Sequence, residues 1–294
     1  MKYLLLVTYL FLSFYSSAQR VLTQIEHFGA NKGNLKMYAY IPENLNSVEK
    51  IPLVFVLHGC TQSAQQISAE TGWNKLADSL NFIVVYPEQR QINNATKCFN
   101  FFIGFKAKKD KGEVASIKQM IDYCFTNYNI DSAMVFITGM SAGGGMSNAL
   151  LNAYPILFNA GALFAAPSNF FDSNSAPPEK QPRIVIFQGN DDQIVTKKNS
   201  DELLAKWLIK HQLDTADVEE ISNYLENPLL KAKFYSNKNK EVKIVSILVN
   251  DVKHKLLIHP GEAINEGGVM DYHTQDINFH STYWVATFFG LTTN

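Results

Sequence analysis

The sequence predicts an α/β domain, a mostly parallel central sheet with helices on both faces. Three observations predict it. Short apolar runs rich in β-branched and aromatic residues alternate along the chain with amphipathic helical stripes. Several runs, Pro52-Leu-Val-Phe-Val-Leu57 above all, are continuously apolar, which suits strands covered on both faces. A composition of 46% hydrophobic and 18% charged residues over 294 positions is enough to bury a large core and excludes long disorder.

The elements follow in chain order. Lys2, the apolar run 3–15 and Ser16-Ser17-Ala18 form an export signal, with cleavage expected after Ala18. The run is short for a bilayer span. The expectation is therefore a signal peptide at 1–18 and a single domain at 19–294, secreted or periplasmic and without stable membrane association. Strands are expected at 36–41, 51–57, 82–86, 134–138, 161–165, 183–188 and 242–249. Helical stripes lie between them: Trp73, Leu76, Ala77 and Leu80; Ile117, Ile121, Cys124, Phe125 and Tyr128; Leu203, Leu204, Trp207, Leu208 and His211. The polar stretch 214–240 has no clear period and reads as a surface excursion before the last strand. With 26 Lys and Arg against 27 Asp and Glu, the charge is balanced, which argues against nucleic-acid binding. The three cysteines form no C-x-x-C pair, so no zinc ribbon or thioredoxin-type site is expected.

Chemistry concentrates at Gly139-Met140-Ser141-Ala142-Gly143. It follows a strand run and precedes a helical pattern beginning near Met146, the context that makes Gly-x-Ser-x-Gly a nucleophile elbow. Sixteen of the 294 residues are glycine, yet four fall within 139–145, so a crowded turn is indicated rather than a chance one. A serine hydroxyl needs a base, itself oriented by an acid. In the order Ser, acid, His, both partners belong just past later strand ends. Asp191 and Asp192 follow the strand at 183–188 and are both acid candidates. His254 follows the strand at 242–249 and is the favoured base. Its rivals are His259 and His273, expected at a pocket rim, and His280, expected as a surface cap on the last helix. Oxyanion donors are expected at the Ala142 amide and, after the strand at 51–57, at the Cys60 amide.

Leu57-His-Gly-Cys-Thr-Gln62, Val85-Tyr-Pro-Glu-Gln89, Cys98-Phe-Asn-Phe-Phe102, the 139–145 elbow, and Tyr154-Pro155 with Phe158 resemble the polyhydroxybutyrate depolymerase family of secreted esterases. That family also includes feruloyl and acetyl-xylan esterases. The resemblance runs from about residue 36 to 291 and is similar again at Ser281-Thr-Tyr-Trp-Val285. It implies the α/β-hydrolase fold and ester hydrolysis through a Ser-His-Asp triad and an acyl-enzyme. It implies no metal and no cofactor. The implied substrate is a hydroxyalkanoate polymer or oligomer, or an acylated polysaccharide. The family's acid and base positions match Asp192 and His254. Residues His58, Phe99 and Phe101 fall where substrate contacts are implied. This chain departs from the pattern at Gln188, where the family has His, and at Asp251 and Lys253, where it has glycines. Phe99 and Phe101 replace tryptophans. Cys124 lies on a buried helical stripe, so Cys60 and Cys98 are expected to form a disulfide in an oxidising compartment. A non-catalytic binding protein or a serine peptidase on the same fold are the alternatives.

Overall fold

The computed structural model describes residues 21–168, 176–216 and 218–292. The signal peptide expected at 1–18 lies outside the described residues.

Ten strands form one sheet: β1 (Thr23–Ile25), β2 (Lys36–Tyr40), β3 (Ile51–Leu57), β4 (Ile83–Glu88), β5 (Ile130–Met140), β6 (Ala160–Phe164), β7 (Arg183–Gly189), β8 (Val218–Ser222), β9 (Leu230–Ser236) and β10 (Val242–Val249). Their order across the sheet is β1-β2-β4-β3-β5-β6-β7-β10-β9-β8. The centre, from β4 to β10, is parallel, and the two margins are antiparallel. A small parallel pair, β11 (Leu256–Ile258) and β12 (Thr274–Asp276), lies apart from it. The helices are α1 (Ala64–Thr71), α2 (Trp73–Leu80), α3 (Gly104–Ala107), α4 (Gly112–Asn127), α5 (Ala142–Ala153), α6 (Lys197–His211) and α7 (Ser281–Phe289).

Alternation along β3 shows why its run is continuously apolar. Leu53, Phe55 and Leu57 enter one core with Ile117, Met120, Cys124, Leu150 and Trp207 from α4, α5 and α6. Val54 and Val56 enter the other with Trp73, Leu76, Val285 and Phe289 from α2 and α7. Successive side chains point to opposite faces, so a strand covered on both sides must be apolar at every position. On the second face Phe289 stacks on Phe136 at 4.6 Å between ring centres and on Trp73 at 6.1 Å.

Two expectations are corrected here. The stretch 214–240 is no irregular excursion, because it contains β8 and β9, an antiparallel extension of the sheet. Leu230 and Ala232 are buried, and Lys231 and Lys233 alternate with them and both pair with Glu220 on β8. Such charged faces are how edge strands resist pairing with other chains, and they hide the strand signal in polar composition. The helix after the elbow begins at Ala142, one turn before Met146. Three glycines are poor helix formers and read as turn, but packing overrides that preference.

Candidate active site

Ser141 joins the carboxyl end of β5 to α5 with φ 55° and ψ −121°, a conformation costly for any residue with a side chain. Two hydrogen bonds hold it: the Ser141 amide donates to the Phe164 carbonyl and the Gly145 amide to the Ser141 carbonyl, each at 2.9 Å. The flanking glycines are demanded by space. A Cβ on Gly139 would stand 2.5 Å from the Gly143 carbonyl, and one on Gly143 would strike the carbonyls of Leu57 and His58. The elbow is thus pressed directly against the end of β3.

Asp192 and His254 are brought together from the turns after β7 and β10, neighbours in the sheet. His254 Nδ1 lies 2.6 Å from Asp192 Oδ2. Asp192 Oδ1 accepts the amides of Ile194 at 2.8 Å and Val195 at 2.9 Å. Burial opposes ionisation of Asp192, but the bonds from His254, Val195 and Ile194 outweigh it and hold the carboxyl below its ordinary range. Asp191 is exposed, and its amide donates to the Val252 carbonyl at 3.0 Å. Asp251 takes up φ 57°, the left-handed region where the family pattern has glycine and which Asp tolerates better than most residues. Among the described residues, neither Ser141 Oγ nor His254 Nε2 has a hydrogen-bond partner.

The loop leaving β3 faces the elbow. A Cβ on Gly59 would lie 3.5 Å from Ser141 Cβ. The Gly59 amide is spent on Gln62 Oε1 at 2.6 Å and the Thr61 amide on the Thr96 carbonyl at 2.6 Å. The Cys60 amide between them has no partner among the described residues. Cys60 is disulfide-bonded to Cys98, 38 residues away. Ala142 opens α5, where a helix has amides beyond the reach of intrahelical acceptors.

The family model described as "Esterase PHB depolymerase" matches residues 35–178. The poly(3-hydroxyalkanoate) depolymerase C of Paucimonas lemoignei is 31% identical across 99% of this chain and 75% of the depolymerase. The chain belongs to the polyhydroxybutyrate depolymerase family of esterases. It is a carboxylic ester hydrolase. Acetylxylan esterase A of Aspergillus oryzae is 28% identical over 82% of this chain and 86% of its own, and feruloyl esterase B of Thermothelomyces thermophilus 28% over 63% and 74%. The acetyl xylan esterase structure from Aspergillus awamori superposes with a TM-score of 0.74 at 21% identity, over 92% of this chain and all of that one, which establishes the shared α/β-hydrolase fold.

In this esterase three residues implied as substrate contacts lie beneath the surface. His58 and Phe99 are fully buried, ring centres 4.9 Å apart, and Phe101 is nearly so, its ring filling the space over Gly145. A side chain with no accessible surface touches no substrate, so His58 and Phe99 are corrected to framework residues. Phe102, edge-on to Phe101, is the exposed aromatic of that segment. His58 Nδ1 donates to the Gly59 carbonyl at 2.6 Å and Nε2 accepts the Gln89 amide at 3.0 Å. Burial lowers its pKa to about 4, and only a neutral ring satisfies both bonds. His280 is corrected too: it precedes α7 as expected but is buried, Nε2 donating to the Thr71 carbonyl at 3.0 Å. His259 and His273 are part-buried beside carboxylates, at 3.4 Å from Asp276 and 3.1 Å from Glu70.

Sequence reasoning missed a polar framework under the loop that leaves β3. Glu88 Oε2 accepts the Ala64 amide at 2.9 Å. Gln89 Nε2 donates to Glu113 at 2.9 Å and to the Cys98 carbonyl at 3.2 Å. Glu113, fully buried, also accepts the Asn100 amide at 2.8 Å and side chain at 2.6 Å. The available signal was in the motifs themselves, since Gln62, Glu88, Gln89 and Asn100 are polar residues within runs otherwise suited to burial.

Proposed function

We propose that this esterase works through Ser141, His254 and Asp192 by way of an acyl-enzyme. The 2.6 Å pairing of His254 Nδ1 with a carboxylate itself anchored by two amides carries the reading, set beside a strained serine on the same edge of the sheet. Asp192 holds the imidazole with its proton on Nδ1, leaving the Nε2 lone pair for the Ser141 proton. The Ser141 Oγ–His254 Nε2 hydrogen bond forms in the substrate complex, as catalytic hydrogen bonds that are long or unformed in the free enzyme commonly do. Ser141 Oγ then attacks the ester carbonyl, and the oxygen that gains charge is met by the amides of Ala142 and Cys60. The imidazolium gives its proton to the leaving alcohol. Water, activated by the same base, releases the acid and restores the enzyme. Ser141→Ala should leave the fold intact and reduce hydrolysis of p-nitrophenyl acetate to background. Turnover near the parent rate in that variant would end the proposal.

The substrate we infer is an ester of an apolar hydroxy acid, a hydroxyalkanoate polymer or oligomer, with acylated polysaccharide as the second reading. Exposed apolar side chains favour the first: Ile194 two residues after Asp192, Phe102 beside the elbow's aromatic cover, and Tyr272 against Lys255, which follows His254. The names of the fungal relatives favour the second. A panel of 3-hydroxybutyrate oligomers, acetylated xylan and methyl ferulate separates them. Faster turnover of either plant ester would reverse the order. A single exported domain completes the proposal, supported by the Cys60–Cys98 disulfide, which persists in oxidising compartments.

A further inference from the structure

We propose that Glu70 is a positioning residue for ester hydrolysis: through Gln62 it fixes the oxyanion loop, and through His273 it ties that loop to the segment that carries His254. The inference rests on the reading of the Cys60 amide as an oxyanion donor.

The connection is a continuous chain of hydrogen bonds. The Gly59 amide donates to Gln62 Oε1 at 2.6 Å, Gln62 Nε2 donates to Glu70 Oε2, and His273 Nδ1 lies 3.1 Å from Glu70 Oε1. The His273 carbonyl in turn accepts the amide of Leu256, two residues past His254, at 2.7 Å. Gln62 is fully buried and Glu70 is 1% exposed.

Glu70 is badly placed for stability. It sits in the last turn of α1, the negative end of the helix, where a carboxylate is disfavoured. Its ion-pair partner among the described residues is a histidine, and Asp271 adds like charge nearby. Burying a carboxylate there is costly.

What the carboxylate supplies is direction. A glutamine side chain offers one carbonyl and one NH2 group, and either can face Gly59. Only the carbonyl can receive the Gly59 amide. An ionised carboxylate accepts and never donates, so Glu70 attracts the NH2 group and leaves the carbonyl aimed at the loop. Lacking Glu70, the amide is free to turn, its NH2 group opposes the Gly59 N–H, and the neighbouring Cys60 amide loses its aim.

The test exchanges the polarity of the link. Gln62→Glu alone sets two carboxylates against each other. Combined with Glu70→Gln, the new carboxylate at position 62 accepts from Gly59 and from the new amide at position 70, whose carbonyl takes the His273 Nδ1 proton. Glu70→Ala removes the link altogether. With p-nitrophenyl acetate, Gln62→Glu and Glu70→Ala should each lose about tenfold or more in kcat with KM within about twofold, short of the full loss of an oxyanion donor. Inhibition by phenylboronic acid, whose serine adduct is a tetrahedral anion, should weaken in parallel. The double variant should recover both. A double variant no better than Gln62→Glu, or single variants with lower melting temperature but parental kcat and inhibition, would overturn the proposal. Should Gln62→Glu fail to fold, Glu70→Ala decides by the same kinetic comparison. Ser141→Ala is assayed alongside: retained turnover there removes the triad reading, whereas an inactive Ser141→Ala beside fully active link variants removes this inference alone.

Discussion

Asp192 accepts three hydrogen bonds, and their directions decide what an amide in its place would do. Oδ1 receives two backbone N–H groups, from Ile194 and Val195. An asparagine must keep its carbonyl there, because its NH2 group would collide with two donors. The NH2 group is then forced toward His254 Nδ1, which must present a lone pair and carry its proton on Nε2. A ring in that tautomer cannot take the proton of Ser141. Asp192→Asn should therefore fold normally and lose about 10³–10⁴ in kcat at neutral pH, with a small change in KM. A loss of under tenfold would show that Asp192 does not set the tautomer. The same reasoning separates Asp192 from Asp191, which spacing alone left open and the family resemblance resolved in favour of Asp192. One is buried with every acceptor in use, and the other is exposed with its amide serving the turn.

Between elements, the loop proposed to hold the oxyanion is the point where most ties converge. It leaves β3, meets the elbow at Gly143, and is fastened by the Gln62 side chain, the Thr96 carbonyl and the bond from Cys60 to Cys98. The disulfide closes a separation of 38 residues, for which the chain-entropy account gives about 4 kcal/mol, an upper figure for a loop already held by other bonds. Cys60→Ser/Cys98→Ser should accordingly lower the denaturant midpoint and also lower kcat, since Cys60 carries a proposed donor. A stability loss with unchanged kcat would mean that the remaining ties suffice to aim the amide. Elements of this kind were legible wherever period and punctuation agreed. The apolar runs of β3, β7 and β10, the stripes of α2, α4 and α6, and the glycine cluster after β5 all carry their structure in local pattern. β8 and β9 did not, because an edge strand bearing glutamates beside a neighbour bearing lysines looks like a loop in composition. The carboxylates Glu70 and Glu113 did not either. Each is a single buried charge whose partners lie in other segments, and no local period announces one.

At the scale of the whole molecule, three histidines buried in different places should make the fold sensitive to mild acid. His58 lies under the oxyanion loop, His211 at the end of α6 and His280 before α7, and burial lowers each to a pKa of about 4. Charges nearby act secondarily: Lys97 disfavours and Glu88 favours a charged His58, Lys243 disfavours a charged His211, and Lys75 and His259 disfavour a charged His280. In the unfolded chain a histidine takes up its proton near pH 6.5. From there down to about pH 4 the unfolded state binds protons that the native state refuses, so stability is fully present above the window and falls steadily through it. Each ring accounts for roughly 3 kcal/mol of that fall, a sizeable part of the 5–15 kcal/mol of about any domain. Glu70 and Glu113, pushed up by burial, work the other way, because the native state then binds the proton more readily than the unfolded chain, and they offset part of the loss. Asp192, held low, withdraws its contribution only below the histidine window, near and under about pH 4. Urea unfolding at pH 7.5, 5.5 and 4.5 should therefore give midpoints that fall at each step, most steeply per pH unit between the last two. His211→Gln, which leaves the elbow and the oxyanion loop untouched, should remove about one proton from the slope. A midpoint independent of pH across that range, or a slope unaltered by His211→Gln, would show that these rings take up protons within the folded protein.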